Sequence, residues 1–259
     1  MADWPGAPAP DEVHLWQAPL DLAWDLQGRM AEFLSQEELE RSARLRRDLD
    51  RARFVAARGW LRMLLARYLD VAASEIVLAA GPHGKPRLAL GPESLRFNLA
   101  HSDGVAVYAV ARDREVGVDV ERLRPDFPID EIARHYFSPQ EQADLGALPE
   151  ADRLRAAFDC WTRKEAYLKA AGVGLTQPLE EFDVTFRPGE SVVLRINTAD
   201  GDGGGRWTLH AFDAGRDYSA AVAVEGDPCS VPDAAPGLAP LLLLHGQASG
   251  SGPDWQPGG

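Results

Sequence analysis

The chain has 259 residues, of which 45% are hydrophobic, and its formal net charge is −13. This content can bury the core of one large domain or two smaller ones, and the acidic balance argues against general nucleic-acid binding, because neutralising phosphates requires a basic surface. The sequence has no run of about eighteen apolar residues, no signal-peptide pattern and only two cysteines, Cys160 and Cys229. We therefore expect no disulfide framework, no membrane association and a cytoplasmic location.

The first half of the chain predicts a strand, two helices and then short strands. After a strand-like segment at 13–18, the spacing of Ser35 and Glu38 is that of a capping box and predicts the start of a helix. A second helix is predicted over about 49–69, where apolar residues recur at helical spacing. Short strands are predicted at 76–78, 87–90, 95–99 and 105–110, the last two forming a hairpin connected by 100–104.

Basic residues are concentrated in these two helices. Nine arginines and only two aspartates, Asp48 and Asp50, occur between Arg41 and Arg67. The pattern fits a solvated helix face, and it also fits a patch for a small polyanion or an acidic partner. The sequence leaves both interpretations open.

The second half repeats the pattern of the first. The segment 137–141 echoes 33–37, a long helix follows each, and strand-like segments occur at 182–186, 192–196, 207–212 and 219–224. We therefore predict an α+β fold of two similar lobes related by a pseudo-twofold axis, over residues 12–112 and 113–226. Residues 227–259 are rich in proline, glycine and serine, which predicts a flexible C-terminal tail.

Two carboxylates share one face of a predicted strand at the start of the second half. Period-two alternation in residues 117–121 places Asp119 and Glu121 together, while Val118 and Val120 face the other way. Neighbouring carboxylates raise one another's pKa unless a cation lies between them. An all-oxygen ligand set suits Mg²⁺, although a solvated acidic strand edge would have the same pattern.

A second candidate group lies on a predicted helix over 158–171, which meets its stop at Gly172. Trp161, Glu165 and Lys169 follow at i, i+4 and i+8 and share one face. The chain has 24 arginines but only three lysines, two of them in this helix. Lysine in such a background indicates a position where a compact ammonium is wanted, although a core tryptophan beside a Glu-to-Lys pair gives the same pattern. We expect Trp161 to pack the helix against the lobe interface.

The remaining candidates are Lys85, in a glycine-proline turn, and His101 with Ser102, in the hairpin connection. A histidine in such a place is often an ordinary turn residue. Taken together with the carboxylates and the Glu/Lys helix, these residues fit a site for a nucleotide-like diphosphate.

The motifs resemble those of the Sfp-type 4′-phosphopantetheinyl transferases. Lys85-Pro86, the segment 97–102, the segment 117–121, and Trp161 with Lys164-Glu165-Ala166 and Lys169 occur in that order, and the match spans about residues 30–225. The resemblance implies a monomer of two lobes with the site between them. It also implies Mg²⁺-dependent transfer of 4′-phosphopantetheine from coenzyme A to a serine of an acyl or peptidyl carrier protein, with release of 3′,5′-ADP.

The resemblance also implies roles for individual residues. Asp119, Glu121 and Glu165 would bind Mg²⁺, and Lys169 would contact the phosphates. The adenosine end of coenzyme A and its 3′-phosphate would be held by Lys85, His101, Ser102 and Arg53. Two departures from the family pattern bear on coenzyme A affinity: Ala100 stands where the family often has serine, and Glu38 stands near a position where the family can have a lysine, so that Arg41 is the substitute.

For the base that accepts the serine proton, Glu165 is the first choice, directly or through a metal-bound water, and Glu141 is the second. Glu141 also occupies the N3 position of a predicted capping box, which would make it structural. Two other functions stay open: a Mg²⁺-dependent hydrolase of a nucleotide diphosphate, and a non-catalytic binder of coenzyme A or carrier protein. The sequence does not distinguish fatty-acid, polyketide and nonribosomal-peptide carriers.

Overall fold

The computed structural model describes residues 6–174, 177–196, 207–233 and 237–238. Within these ranges it contains no helix that combines the length and the apolar character needed to cross a membrane. We refer to residues 12–112 as the first lobe and to residues 113–226 as the second lobe.

Over the described residues, each lobe contains a strand, three α-helices and four further strands. The first lobe consists of β1 (Val13–Pro19), α1 (Trp24–Glu32), α2 (Gln36–Ala43), α3 (Asp48–Leu69), β2 (Leu78–Ala80), β3 (Pro86–Leu88), β4 (Leu95–Ser102) and β5 (Val105–Arg112). The second consists of β6 (Val116–Arg122), α4 (Ile129–Tyr136), α5 (Pro139–Gly146), α6 (Glu150–Ala171), β7 (Phe182–Val184), β8 (Leu194–Ile196), β9 (Trp207–Ala211) and β10 (Tyr218–Glu225). The order of elements is the same in both lobes.

The sheets repeat as well. The first lobe has an antiparallel sheet of order β1-β5-β4, and the second has one of order β6-β10-β9. The strands β6, β10 and β9 thus correspond to β1, β5 and β4. A two-stranded hairpin accompanies each sheet, β2-β3 in the first lobe and β7-β8 in the second. The predicted α+β fold is confirmed.

The two sheets share an apolar core that lies between the lobes. Successive side chains of a strand point to opposite faces; in β5, Ala106, Tyr108 and Val110 pack into the core of the first lobe, whereas Val107 and Ala109 face the second lobe. In β6, the residues Val116, Val118 and Val120 complete the shared core. Because β6 uses this face for the lobe contact, its opposite face is turned toward α6.

Capping boxes make the two short helices α2 and α5 predictable from the sequence. Ser35 and Ser138 both form complete capping boxes, with Glu38 and Glu141 respectively, and start α2 and α5. By contrast, α1 and α4 were not predicted. Their N-cap residues, Ala23 and Pro128, make no side-chain cap hydrogen bond, so the usual start signal is missing.

Two boundaries differ from the prediction in ways that affect the site. The helix expected from residue 158 begins at Glu150, so α6 has 22 residues, the same length as α3. His101 and Ser102, expected in a hairpin connection, are the last two residues of β4. Their side chains are therefore positioned by the sheet.

The predicted tail is ordered against the first lobe over the part that the structure describes. Val13 N donates to Ser230 O at 2.9 Å, Leu238 N donates to Gln17 O at 2.8 Å, and Leu238 is fully buried in the core of the first lobe. Among the described tail residues, Leu238 packs in an apolar pocket of the first lobe, and flexibility of the tail stays a prediction. Residues 234–236 and 239–259 lie outside the described ranges.

Candidate active site between the lobes

Asp119 and Lys169 meet where β6 crosses α6. Gly117 allows this approach, because a β-carbon added there would overlap the carbonyl oxygen of Ala166 and the amide nitrogen of Ala170. Two residues further along the same strand face, Asp119 Oδ1 accepts a hydrogen bond from Lys169 Nζ at 2.5 Å. Asp119 is only 4% exposed. The glycine thus places a buried carboxylate against the ammonium of the neighbouring helix.

Glu121 is held by the opposite lobe. Ser102 Oγ in β4 donates to Glu121 Oε2 at 2.8 Å and accepts from the backbone amide of Arg122 at 3.1 Å. Further along the same pair of strands, the amide of Val118 donates to Asn98 Oδ1 at 2.9 Å. These bonds fix the edge of the first sheet to β6, so the carboxylates lie at the junction of the lobes.

Glu165 is the third carboxylate of the group. It lies one turn before Lys169 on the same face of α6 and is partly buried. Burial raises its pKa, the ammonium of Lys169 opposes this, and the charges of Asp119 and Glu121 raise it further. The electrostatic influence of all three neighbours indicates one mutually interacting cluster.

The pKa values of Asp119, Glu121 and Lys169 are also raised. Burial raises the pKa of Asp119 even though Lys169 opposes the shift, and burial raises the pKa of Glu121 even though Ser102 donates to it. For Lys169, burial acts to lower the pKa, but Asp119, Glu165 and Glu121 outweigh burial and raise it. Carboxylates that favour protonation around a retained ammonium indicate a shortage of positive charge.

The donor set fits a divalent cation, although the side chains do not already form a closed metal site. Across the described ranges, no group of three or more histidine, cysteine, aspartate and glutamate side chains could hold a metal ion as placed. Asp119 Oδ2 is nevertheless buried and has no hydrogen-bond partner among the described residues. A buried acceptor of this kind needs a partner, and carboxylate oxygens suit Mg²⁺. Convergence of Asp119, Glu121 and Glu165 on one ion stays a prediction.

A cavity of about 250 Å³ opens beside Glu165 and Lys169 and runs toward the C-terminal end of α6. The first lobe contributes Lys85 to its wall, with Asn98 and Leu99 of β4. Lys85 Nζ donates to Glu115 Oε2 at 2.8 Å and to the carbonyl oxygen of Ala170 at 3.2 Å. Lys85 therefore links the turn of the first lobe to the residue that precedes β6 and to α6.

The sequence did not single out Glu115, which holds Lys85 and also pairs with Arg96 Nε at 3.0 Å. The signal was present, because period two places residue 115 on the same strand face as Gly117, Asp119 and Glu121.

Arg53 and His101 lie on the first-lobe side of the cluster. Arg53 binds Asp21 through two hydrogen bonds, at 2.8 and 3.1 Å, and reaches Asp103 at 3.3 Å. Loss of water around the ring lowers the pKa of His101, and the charges of Lys169 and Arg53 lower it further. The positive charges of Lys169 and Arg53 therefore both act on His101.

Arg41, Glu38 and Ala100 lie outside the carboxylate cluster. Arg41 lies over the ring of Phe54, with 5.6 Å between the guanidinium carbon and the ring centroid. Glu38 is buried and paired with Arg58 and Arg62 at 2.6 and 2.7 Å, and Ala100 is buried in the shared core. Glu38 and Ala100 are thus structural residues, and a role for Arg41 in coenzyme A binding stays a prediction.

The choice of Glu141 as a second base is wrong. Glu141 is 1% exposed; it pairs with Lys164 at 2.7 Å and accepts from the amides of Ser138 and Val184. A general base must reach the proton that it takes, and this carboxylate is enclosed in the second lobe. Its capping-box interpretation is the correct one.

Trp161 also differs from its expectation. It packs edge-on against Tyr136 of α4, with 5.4 Å between ring centroids. This contact lies within the second lobe, so Trp161 does not join the lobes through that partner.

Comparison with known proteins gives the site its context. The family model described as the 4′-phosphopantetheinyl transferase superfamily matches residues 115–223. The 4′-phosphopantetheinyl transferase HetI of Nostoc sp. is 38% identical over 83% of this chain and 89% of its own length. The 4′-phosphopantetheinyl transferase Sfp of Bacillus subtilis is 28% identical over 65% of this chain and 73% of its own length. The crystal structure of Thermotoga maritima holo-[acyl-carrier-protein] synthase aligns with 44% of this chain and 63% of its own, at 19% identity and a TM-score of 0.35.

The HetI match exceeds 30% identity across most of both chains, and the family model covers the strand and helix that carry the carboxylates. This chain therefore belongs to the 4′-phosphopantetheinyl transferase family.

Proposed function

We propose that this protein transfers 4′-phosphopantetheine from coenzyme A to a serine hydroxyl of an acyl or peptidyl carrier protein and releases 3′,5′-ADP. Membership of the family supports the reaction. The observation that carries the proposal is the cluster of Asp119, Glu121 and Glu165 around Lys169, beside a cavity at the junction of the lobes. Such a cluster suits a substrate with a diphosphate.

Coenzyme A binding would use Lys85 and Lys169, which line the cavity, together with residues on the first-lobe side of the cluster. Lys169 is the candidate for the diphosphate, and Lys85, His101, Ser102 and Arg53 are candidates for the adenosine end. Because Glu115 holds Lys85 and Asp21 holds Arg53, the phosphates would compete with these carboxylates for the same donors. Affinity for coenzyme A should therefore fall with rising ionic strength.

Glu165 is the proposed acceptor of the serine proton. The serine oxygen attacks the β-phosphorus, the bond from that phosphorus to the oxygen of 3′,5′-ADP breaks, and the hydroxyl proton passes to Glu165. A general base must lie within reach of the proton that it accepts, and Glu165 lines the cavity at the junction of the lobes. Lys169 neutralises the charge that develops on the leaving 5′-phosphate of 3′,5′-ADP.

Mg²⁺ would be held by Asp119, Glu121 and Glu165. It would supply positive charge to the diphosphate oxygens in the transition state. The buried, unpartnered Oδ2 of Asp119 supports this assignment.

The decisive experiment incubates the protein with coenzyme A, Mg²⁺ and a panel of apo acyl and peptidyl carrier domains and measures their intact masses. We expect one 4′-phosphopantetheine adduct on the carrier serine, and loss of the adduct when EDTA replaces Mg²⁺. A hydrolase would release 3′,5′-ADP without carrier, and a non-catalytic binder would give no adduct and would bind equally well after Glu165→Gln. Either result would overturn the proposal.

A further inference from the structure

Two cavities of the protein meet at Lys85. One is the cavity of about 250 Å³ beside the carboxylate cluster. The other has a volume of about 580 Å³ and lies between the β3–β4 segment and the C-terminal end of α6. Lys85, Pro86 and Gly172 line both cavities, whereas Arg96 and Glu115 line the larger one. Charges in the larger cavity can therefore act on the smaller one through Lys85.

The larger cavity contains three alternating charges that end at Lys85. Arg96 Nε pairs with Glu115 Oε1 at 3.0 Å, and Glu115 Oε2 accepts a hydrogen bond from Lys85 Nζ at 2.8 Å. Each oxygen of this carboxylate thus has a different cation. Arg96 and Glu115 lie just before the segments 97–102 and 117–121, so neither belongs to the motifs that carry the family resemblance.

The backbone of Glu115 is held by the second sheet, independently of Lys85. Its carbonyl oxygen accepts from the amide of Glu225 at 2.9 Å, and its own amide donates to Glu225 Oε2 at 3.3 Å. The side chain of Glu115 is 37% exposed. Replacing its carboxylate by an amide therefore changes the charge beside Lys85 without repacking the core.

The partners of Lys85 offset its positive charge. Besides Glu115, the ammonium donates to the carbonyl oxygen of Ala170 in the last turn of α6, where the helix dipole is negative. Two of its three N–H donors are thus used within the described residues. A phosphate group in the smaller cavity must share this ammonium with Glu115, whose negative charge weakens the attraction. Arg96 acts in the opposite sense, because it offsets the charge of Glu115.

We propose that Glu115 and Arg96 set the affinity for coenzyme A by acting on Lys85, an inference that rests on the proposed function. Both are positioning residues, because they act through Lys85 from the neighbouring cavity. Glu115 lowers the affinity for the anionic substrate, and Arg96 raises it.

The test measures binding of coenzyme A by calorimetry in the presence of Mg²⁺ and without a carrier protein, so that no transfer occurs. We expect Glu115→Gln to bind coenzyme A about two- to fivefold more tightly and Arg96→Gln about two- to fivefold more weakly, as for partly exposed ion pairs. Loss of a merely structural contact would not tighten binding. Steady-state kinetics should show the same changes in KM for coenzyme A and none in KM for the carrier.

Glu93→Gln is the matched control for a general effect of charge. Glu93 is exposed and lines the same cavity, so this variant changes the net charge by the same amount as Glu115→Gln. In the described part of the chain Glu93 forms no ion pair with Lys85 or Arg96, and we expect wild-type affinity. The double variant Lys85→Gln with Glu115→Gln should bind no more tightly than Lys85→Gln alone, because the effect of Glu115 requires Lys85.

Measuring binding and transfer separately distinguishes this inference from the proposed function. Opposite changes in Glu115→Gln and Arg96→Gln would support the inference even if no carrier were modified. Transfer by the wild-type protein, with the same coenzyme A affinity in both variants, would overturn the inference and leave the proposed function in place. Equal tightening in Glu93→Gln, or tightening that persists without Lys85, would also overturn it. Failure of the wild-type protein to bind coenzyme A would overturn both.

Discussion

The two lobes share a buried acid–base pair at the same structural position. In the first lobe Glu38 of α2 pairs with Arg62, and in the second Glu141 of α5 pairs with Lys164; Arg62 and Lys164 are each the fifteenth residue of a 22-residue helix. Each cation also donates to two backbone carbonyls, those of Ala73 and Ile76 in the first lobe and those of Leu179 and Phe182 in the second. The pair therefore anchors the capped helix, the long helix and the following turn in both lobes.

The lobes differ where the first strand of each meets its long helix. In the first lobe His14 and Trp16 of β1 both bond to Tyr68 Oη, at 2.7 and 2.9 Å, so large side chains fill this contact. The corresponding residues of the second lobe are Gly117, Asp119 and Ala170.

The candidate carboxylates of the second lobe have uncharged counterparts in the first lobe. Trp16, Ala18 and Met63 of the first lobe take the positions of Asp119, Glu121 and Glu165 in the second. One copy of the fold thus has uncharged side chains at these three positions, and the other has carboxylates there. The first lobe contributes to the site from its edge instead, through Ser102 and Lys85.

The largest expected effect comes from removing the charge of Glu165, the candidate base. Glu165→Gln keeps the shape of the side chain but removes the proton acceptor, so we expect turnover to fall about 10²–10⁴-fold, with little change in the circular dichroism spectrum. Met63→Leu, at the counterpart position, should leave turnover per folded molecule near the wild-type value. Turnover of Glu165→Gln within about tenfold of wild type would contradict the assignment of the base.

The repeated architecture was largely predictable, because capping boxes at Ser35 and Ser138 and period-two strands are local signals. The placement of Asp119 and Glu165 as candidates also came from local periodicity and from the motif resemblance. Other features depended on contacts distant in sequence. The partner of Lys85, 30 residues away, and the burial of Glu141 against Lys164 and Val184 arise only when the chain folds. Leu238, which lies after the second lobe, likewise packs into the core of the first lobe.

Breaking the Glu141–Lys164 salt bridge of the second lobe should lower stability and leave the chemistry of the site unchanged. Glu141→Gln replaces one carboxylate oxygen by an NH2 group that cannot accept hydrogen bonds, so at least one of the buried donors around it is left unpaired, and we expect a loss of about 1–3 kcal/mol in the free energy of unfolding. Glu38→Gln should cost less, because Glu38 has two arginine partners and Arg58 is partly exposed. Urea unfolding measures both.

A double variant sharpens the interpretation of the anchor. Glu141→Gln with Lys164→Met removes the unpaired charge, so much of the lost stability should return. No recovery would mean that the carbonyl contacts of Lys164, rather than its charge balance, dominate.

Moving β6 away from α6 should lower both the stability and the transfer rate, the rate by less than Glu165→Gln. Gly117→Ala forces a methyl group against the backbone of α6 at Ala166 and Ala170, which should cost about 1–3 kcal/mol in stability and lower the transfer rate, because Asp119 moves with the strand. The control is Gly28→Ala in α1, where an added β-carbon meets nothing within 4 Å. Reduced stability with a normal transfer rate would show that the close approach is not needed for the site.

The smallest expected effect is a difference in the pH dependence of stability between the Glu38–Arg62 pair and the Glu141–Lys164 pair. Burial acts to raise the pKa of Glu38, but Arg58, the amide of Ser35 and Arg62 outweigh it, so the pKa lies below its ordinary value. Burial raises the pKa of Glu141 despite opposition from Lys164.

A carboxyl with a lowered folded-state pKa stabilises the fold above its unfolded pKa of about 4.3, and this contribution is lost as the pH falls through the folded value. The stability gap between wild type and Glu38→Gln should therefore narrow below about pH 4.3. For Glu141 the folded chain binds the proton first, so the gap between wild type and Glu141→Gln should widen as the pH falls toward about 4.3 from above. Urea unfolding across this range gives both gaps, and gaps that change in the same direction would show that the two anchors, alike in geometry, are also alike in their electrostatics.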